Sequence, residues 1–115
     1  MIIMQVIFVV LNKIECLEDL LARLKKAGVT GGTIIDSTGM VKSLEESDDS
    51  YLLGSLRLFL ENPHPDSKTI FFIVNNEQVE LVRKTVSDAL GGIDNHDTGI
   101  VFGIPISFAD GLIKK

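Results

Sequence analysis

The chain carries a single cysteine, no tryptophan, one tyrosine and two histidines. With only Cys16 available, an internal disulfide is excluded, which suits a reducing compartment. Cys16 falls in a helical pattern with no histidine nearby, so it reads as a small apolar side chain rather than a reactive thiol. Long apolar runs are missing too. The longest, residues 6–11 and 70–74, fall far short of the roughly 20 residues a membrane-spanning helix needs. The opening Met1-Ile2-Ile3-Met4 has no basic region before it and no small-residue cleavage site after it, so it reads as a first strand rather than a signal peptide, and a cytoplasmic location is expected. Basic residues are few: 11 Lys and Arg against 16 Asp and Glu give a net charge of −5. The basic side chains are scattered, which argues against DNA or RNA as the partner, because phosphate neutralisation needs a basic face. Catalytic signatures are absent as well. There is no Gly-x-Ser-x-Gly, no P-loop, no Cys-x-x-Cys and no His-Glu-x-x-His, and a non-enzymatic protein is expected.

What is present is a packed domain's worth of apolar residues. The chain has 115 residues, 45% of them hydrophobic, which fits one domain spanning 1–115. Residues 2–11 form an almost continuous β-branched run, the pattern of a strand buried on both faces. Asn12 follows, with Glu15 three residues on, an N-cap and capping-box pair. Leu17, Leu20, Leu21, Leu24 and Ala27 then recur at helical spacing, with acidic residues early, basic residues late and Gly28 as the stop. Residues 33–38 read as a second strand.

The same pattern recurs near the end. Residues 69–74 form an apolar strand, Asn75 and Gln78 repeat the capping pair, and Val79, Val82, Val86, Ala89 and Leu90 make a helical face. Gly91 stops that helix, and residues 98–106 make a last strand, ended by Pro105. Asn12 to Gly28 and Asn75 to Gly91 are both 16 residues. Two β-α-β units in one small domain predict an α+β, ferredoxin-like split β-α-β fold: a four-stranded antiparallel sheet with two helices on one face.

Residues 39–68 interrupt the repeat. An acidic stretch (Glu45, Glu46, Asp48, Asp49) precedes a leucine-rich segment at 51–60 that fits an amphipathic helix better than a strand, though alternation at Leu56, Leu58 and Leu60 keeps the strand open. Asn62-Pro63-His64-Pro65-Asp66 reads as a turn. An insertion of this length in a compact domain is usually functional or an assembly element. The other informative loop is 91–99, rich in glycine and short polar residues. Its backbone N–H groups are suited to an anion or a nucleotide phosphate, with Asp94, His96 and Asp97 placed for a cation. The same composition also suits a turn whose Asp and Asn side chains bond their own backbone. Gly39 and Met40, at the end of the second strand, and Gly91, Gly92, Asp97, Thr98 and Gly99, before the last, are the candidate ligand-binding residues. In this fold the two places approach each other across a subunit boundary, making a cleft of the kind small ligands occupy.

The order β-α-β, long excursion, β-α-β, together with Gly28-Val29-Thr30-Gly31 before strand two and Asp97-Thr98-Gly99-Ile100-Val101-Phe102 leading to Pro105-Ile106, resembles the PII family of nitrogen regulatory signalling proteins over nearly the whole chain. The resemblance implies a non-enzymatic homotrimer that binds a small molecule, in the family a nucleotide, in clefts between subunits, and presents residues 39–68, the counterpart of the PII T-loop, to a protein partner. The pattern departs from the family at one chemical point. PII proteins carry Gly-Lys just before strand four, the Lys holding phosphate, where this chain has Thr98-Gly99. A metal-tolerance trimer of the CutA type, with His96, Asp97 or Cys16 as ligands, and a protein-interaction module without ligand binding are the alternatives. An acylphosphatase-type enzyme would need an Arg after strand one, and Asn12-Lys13-Ile14-Glu15 contains none.

Overall fold

A computed structural model of the chain describes residues 3–40, 67–92 and 98–112. The leucine-rich segment at 51–60, and Asp94, His96 and Asp97, lie outside these residues. In chain order the elements are β1 (Met4–Leu11), a 3-10 turn (Ile14–Cys16), α1 (Leu17–Lys26), β2 (Thr33–Ser37), β3 (Ser67–Asn75), a second 3-10 turn (Asn76–Gln78), α2 (Val79–Ala89) and β4 (Gly99–Ile106). The strands form one antiparallel sheet in the order β2-β3-β1-β4. This is the ferredoxin-like arrangement the doubled pattern predicts.

The order explains the two unbroken apolar runs, because β1 and β3 are the central strands. Their side chains alternate between faces. Ile7, Val9 and Leu11 of β1, with Ile70, Phe72 and Val74 of β3, are buried on the helix side. Leu20 and Leu24 of α1 and Val82, Val86 and Ala89 of α2, with Leu90, complete the same core. Each of the valine, leucine, isoleucine and phenylalanine side chains contributes about 1.5–3 kcal/mol when fully buried. The partly buried Cys16 packs against this cluster, as a small apolar residue would. The opposite face of the sheet carries Val6, Phe8 and Val10 of β1 and Phe71 and Ile73 of β3, so both faces of the central strands are apolar.

The repeat extends to the helix ends. Gly28, at φ 97°, closes α1 with Gly28 N–H bonded to the Lys25 carbonyl (3.1 Å) and Val29 N–H to that of Leu24 (2.9 Å). Gly91 and Gly92, at φ 72° and 114°, close α2 in the same way, on Asp88 (3.3 Å) and Ser87 (2.8 Å). Both are Schellman motifs, which require a left-handed residue that glycine adopts without a Cβ penalty.

The helix starts differ. At the second, the capping box forms: Asn75 N–H donates to Gln78 Oε1 at 3.0 Å. At the first, the expected Asn12 cap is absent. The N–H groups of Asn12 and Lys13 both donate to the Thr98 carbonyl, at 3.1 and 3.3 Å, and Lys13 stands at the cap position without a side-chain bond. Contact with β4 therefore supplies what the cap would have supplied. Asn75→Ala is accordingly expected to cost about 1 kcal/mol, and Asn12→Ala less than about 0.5 kcal/mol, in parallel urea denaturation.

One further boundary moves. Ser67 and Lys68, placed in the insertion by pattern, belong to β3 and pair with Ser37 and Asp36. The last strand ends at Ile106 as expected, one residue after Pro105, which pairs with Gln5; a proline is tolerated there because β4 is an edge strand.

Candidate functional site

Register places the ends of four elements at one rim of the sheet. Ser37 pairs with Ser67, Lys68 with Leu11, and Leu11 with Gly99. Gly39 and Met40 follow β2 at this rim, and Thr98 and Gly99 open β4 there. β2 and β4, however, are opposite edges of the sheet. Three strand intervals separate them, about 14 Å at the usual spacing. Gly39 and Gly99 of one chain therefore share a rim without meeting. Asp97 lies outside the described residues.

The β2 side of the rim is held by hydroxyls. Ser37 and Ser67, directly paired, have their Oγ atoms 2.7 Å apart, and Thr69 Oγ1 donates to Ser37 Oγ at 2.8 Å. Ser67 is buried. On the other face the Lys68 ammonium is bonded to the Asp36 carboxylate. These contacts anchor the backbone immediately before Gly39, while the Met40 side chain is 75% exposed.

On the β4 side Thr98 is buried, its hydroxyl donates to the Gly92 carbonyl at 3.5 Å, and its own carbonyl takes the two N–H groups of Asn12 and Lys13. Thr98 thus ties the end of α2, the start of β4 and the β1–α1 turn together. Gly99 is sterically closed. A Cβ there would lie 2.6 Å from the Val10 carbonyl oxygen and 3.5 Å from Leu11 Cα, with φ at 157°. The glycine is required by the close approach of β4 to β1, and no side chain fits at this position without displacing backbone. Gly91 and Gly92 are accounted for by the helix stop, so their conformation is structural before it is chemical.

Two features escaped the sequence. The first is a cleft of about 460 Å³ at the other rim, between the glycine loop at 28–32, the end of β3 and the last described residues, Gly111 and Leu112. It exists because β3 runs four residues, Phe72 to Asn75, past its register with β2. Gly31, where a Cβ would touch nothing within 4 Å, leaves the space open. Thr30, Thr33, Asn75 and Gln78 supply polar groups around it. The Gly28-Val29-Thr30-Gly31-Gly32 run was the available signal. The second is a row of rings on the helix-free face. Phe8 lies 5.0 Å from Phe102, stacked, and 5.6 Å from Phe71, tilted. Around it Ile35, Ile100, Phe102 and Ile104 are 45–59% exposed, an apolar surface of the kind that marks an interface.

Among the described residues no group of three or more His, Cys, Asp or Glu is placed to hold a metal ion, and no helix is long and apolar enough to cross a membrane.

No protein-family model matches the chain, and no curated protein matches it. Solved structures do. The chain is similar to PII of Arabidopsis thaliana bound to citrate, with a TM-score of 0.62 and 16% identity over 91% of this chain and 78% of that one. It is similar to the B. subtilis GlnK–ATP complex, with a TM-score of 0.61 and 20% identity over 91% and 83%. It is also similar to CPII, a nitrogen regulatory PII-like protein from Thiomonas intermedia K12 bound to ADP, AMP and bicarbonate, with a TM-score of 0.58 and 16% identity over 95% and 96%. The described residues have the PII fold.

Proposed function

We propose that the chain is a divergent PII-type regulator: a non-enzymatic, cytoplasmic homotrimer that binds a small anionic molecule in clefts between subunits. The observation that carries this is the placement of Gly39 and Gly99 at one rim of the sheet but on opposite edges. A second copy brings them together when its β2 edge meets the β4 edge of the first. A head-to-tail contact of that kind closes into a ring if the rotation allows, and a trimer is the smallest such ring beyond a pair. The exposed apolar row on the helix-free face supplies the surface a ring of copies would bury. The ligand lies where Gly39 of one copy meets the start of β4 of the next, in a cleft between subunits of the kind small molecules occupy.

An anionic ligand is supported by the similar solved structures, whose bound molecules (citrate, ATP, ADP, AMP and bicarbonate) are all anionic. Without a Lys before strand four, nucleotide affinity is expected to be lower than in proteins that keep it. The segment beginning at Gly39 is the surface offered to a protein partner.

The test is a thermal-shift series with citrate, ATP, ADP and bicarbonate, alongside the mass of the assembly by light scattering. A ligand present at 100 times its Kd stabilises by about 2.7 kcal/mol, which is a rise of several degrees for a domain of this size. The expected assembly mass is three times the 12.6 kDa chain. A monomer that none of the four anions stabilises at millimolar concentration would exclude this function. Stabilisation by a divalent metal ion alone would favour the metal-tolerance alternative.

A further inference from the structure

We propose, on the premise set out above that an anionic ligand sits against the start of β4, that Lys13 is the residue that holds its charged group, a phosphate or a carboxylate. Position 99 cannot contribute a cation, because any side chain there collides with the Val10 carbonyl. Two lysines among the described residues lie at this rim, Lys13 after β1 and Lys68 in β3. Lys68 is bonded to Asp36 on the helix face, at the β2 side. Lys13 is exposed, and its side chain enters none of the ion pairs among the described residues.

Its backbone is not loose. The Lys13 N–H donates to the Thr98 carbonyl at 3.3 Å, beside the Asn12 N–H at 3.1 Å. The lysine stem therefore starts one hydrogen bond away from the residue that precedes Gly99, and it is held there by the strand it would serve. A long flexible stem with an ammonium at its end reaches an oxyanion lying over the Thr98–Gly99 backbone and acts on it as a point charge. The nearest acidic neighbour in sequence, Glu15, is also exposed and forms no ion pair with Lys13 among the described residues, so an arriving anion gives the Lys13 ammonium an opposite charge. Ligand charge would thus be met from the β1–α1 turn instead of from β4.

Calorimetric titration of the full-length protein with ATP and with citrate tests this. The comparison is between wild type, Lys13→Gln and Lys13→Arg, with thermal midpoints measured in the absence of ligand. Lys13→Gln is expected to weaken whichever anion the wild type binds by about tenfold, the scale of one charge-assisted hydrogen bond. Lys13→Arg should retain affinity within about threefold, since it keeps the charge. The ligand-free midpoints should coincide, because the side chain is exposed. Wild-type binding that Lys13→Gln leaves unchanged overturns the role of Lys13 and leaves the anion-binding function standing. Failure of the wild type to bind either anion overturns both.

Discussion

Replacing Gly99 with alanine is expected to lower the thermal midpoint by about 10 °C or more, out of proportion to the single methyl group added. The new Cβ would sit 2.6 Å from the Val10 carbonyl oxygen, a separation real Cβ atoms do not adopt, so β4 must move away from β1. That movement opens the pairing at its first residue, where Leu11 faces Gly99. It also strains the Thr98 carbonyl that holds Asn12 and Lys13. Overpacking and backbone strain of this kind cost about 3 kcal/mol, and each kcal/mol shifts the midpoint of a domain this size by roughly 4 °C. Gly31→Ala is the control. Its Cβ meets nothing within 4 Å, and it is expected to leave the midpoint within about 2 °C. Gly99→Lys, which would restore the PII pattern by name, should behave like Gly99→Ala or worse in calorimetry and should not gain nucleotide affinity. A Gly99→Ala variant as stable as wild type would show that β4 accommodates a side chain at its first residue.

If the chain is the trimer proposed above, Phe102→Asp is expected to convert it to monomer without unfolding the chain. The ring of Phe102 stacks on Phe8 at 5.0 Å, yet it is 45% exposed within the single chain. Its removal therefore costs the isolated fold only the pairwise stacking, about 0.5–1.5 kcal/mol, plus part of its apolar burial. In the proposed trimer the same position would be covered. A carboxylate there would be desolvated without a partner at three equivalent places, which costs several kcal/mol per site. Light scattering should report a fall from three times the chain mass to one, with the far-ultraviolet circular dichroism unchanged. A Phe102→Asp protein that stays trimeric would place the subunit contacts elsewhere than on this face.

The contrast between these two sites mirrors what was legible beforehand. The apolar runs, the helical faces and the paired glycine stops were visible because each is a local pattern, and the repeat of the pattern gave the topology. Asn12 and Asn75 show where local reading ends. Both precede an acidic or amide residue by three positions, yet only Asn75 caps, because the backbone donors after β1 find a carbonyl 86 positions later in the chain, at Thr98. Nothing near Asn12 encodes that partner. The site residues were legible as loop ends rich in glycine. That they would meet only across a subunit boundary was already expected; the cleft beside Gly31 was not legible, since a cavity depends on what two distant strands fail to cover.

The strand order has a consequence for how the chain reaches this state. β1 and β2 belong to the same half of the repeat but do not pair, and neither do β3 and β4, since β3 lies between the first two and β1 between the second two. Each half leaves a gap that only the other can fill. The doubled unit is therefore not a tandem of two pieces that acquire structure in turn. A nascent chain that has exposed only its first forty residues holds two strands with no hydrogen-bonding neighbour, and β1 must wait for Ser67 to Asn75 to be synthesised before its ladder can close. Contacts between positions so far apart make for slow, all-or-none assembly, and cutting the chain between its halves would leave two fragments that regain order only in each other's presence.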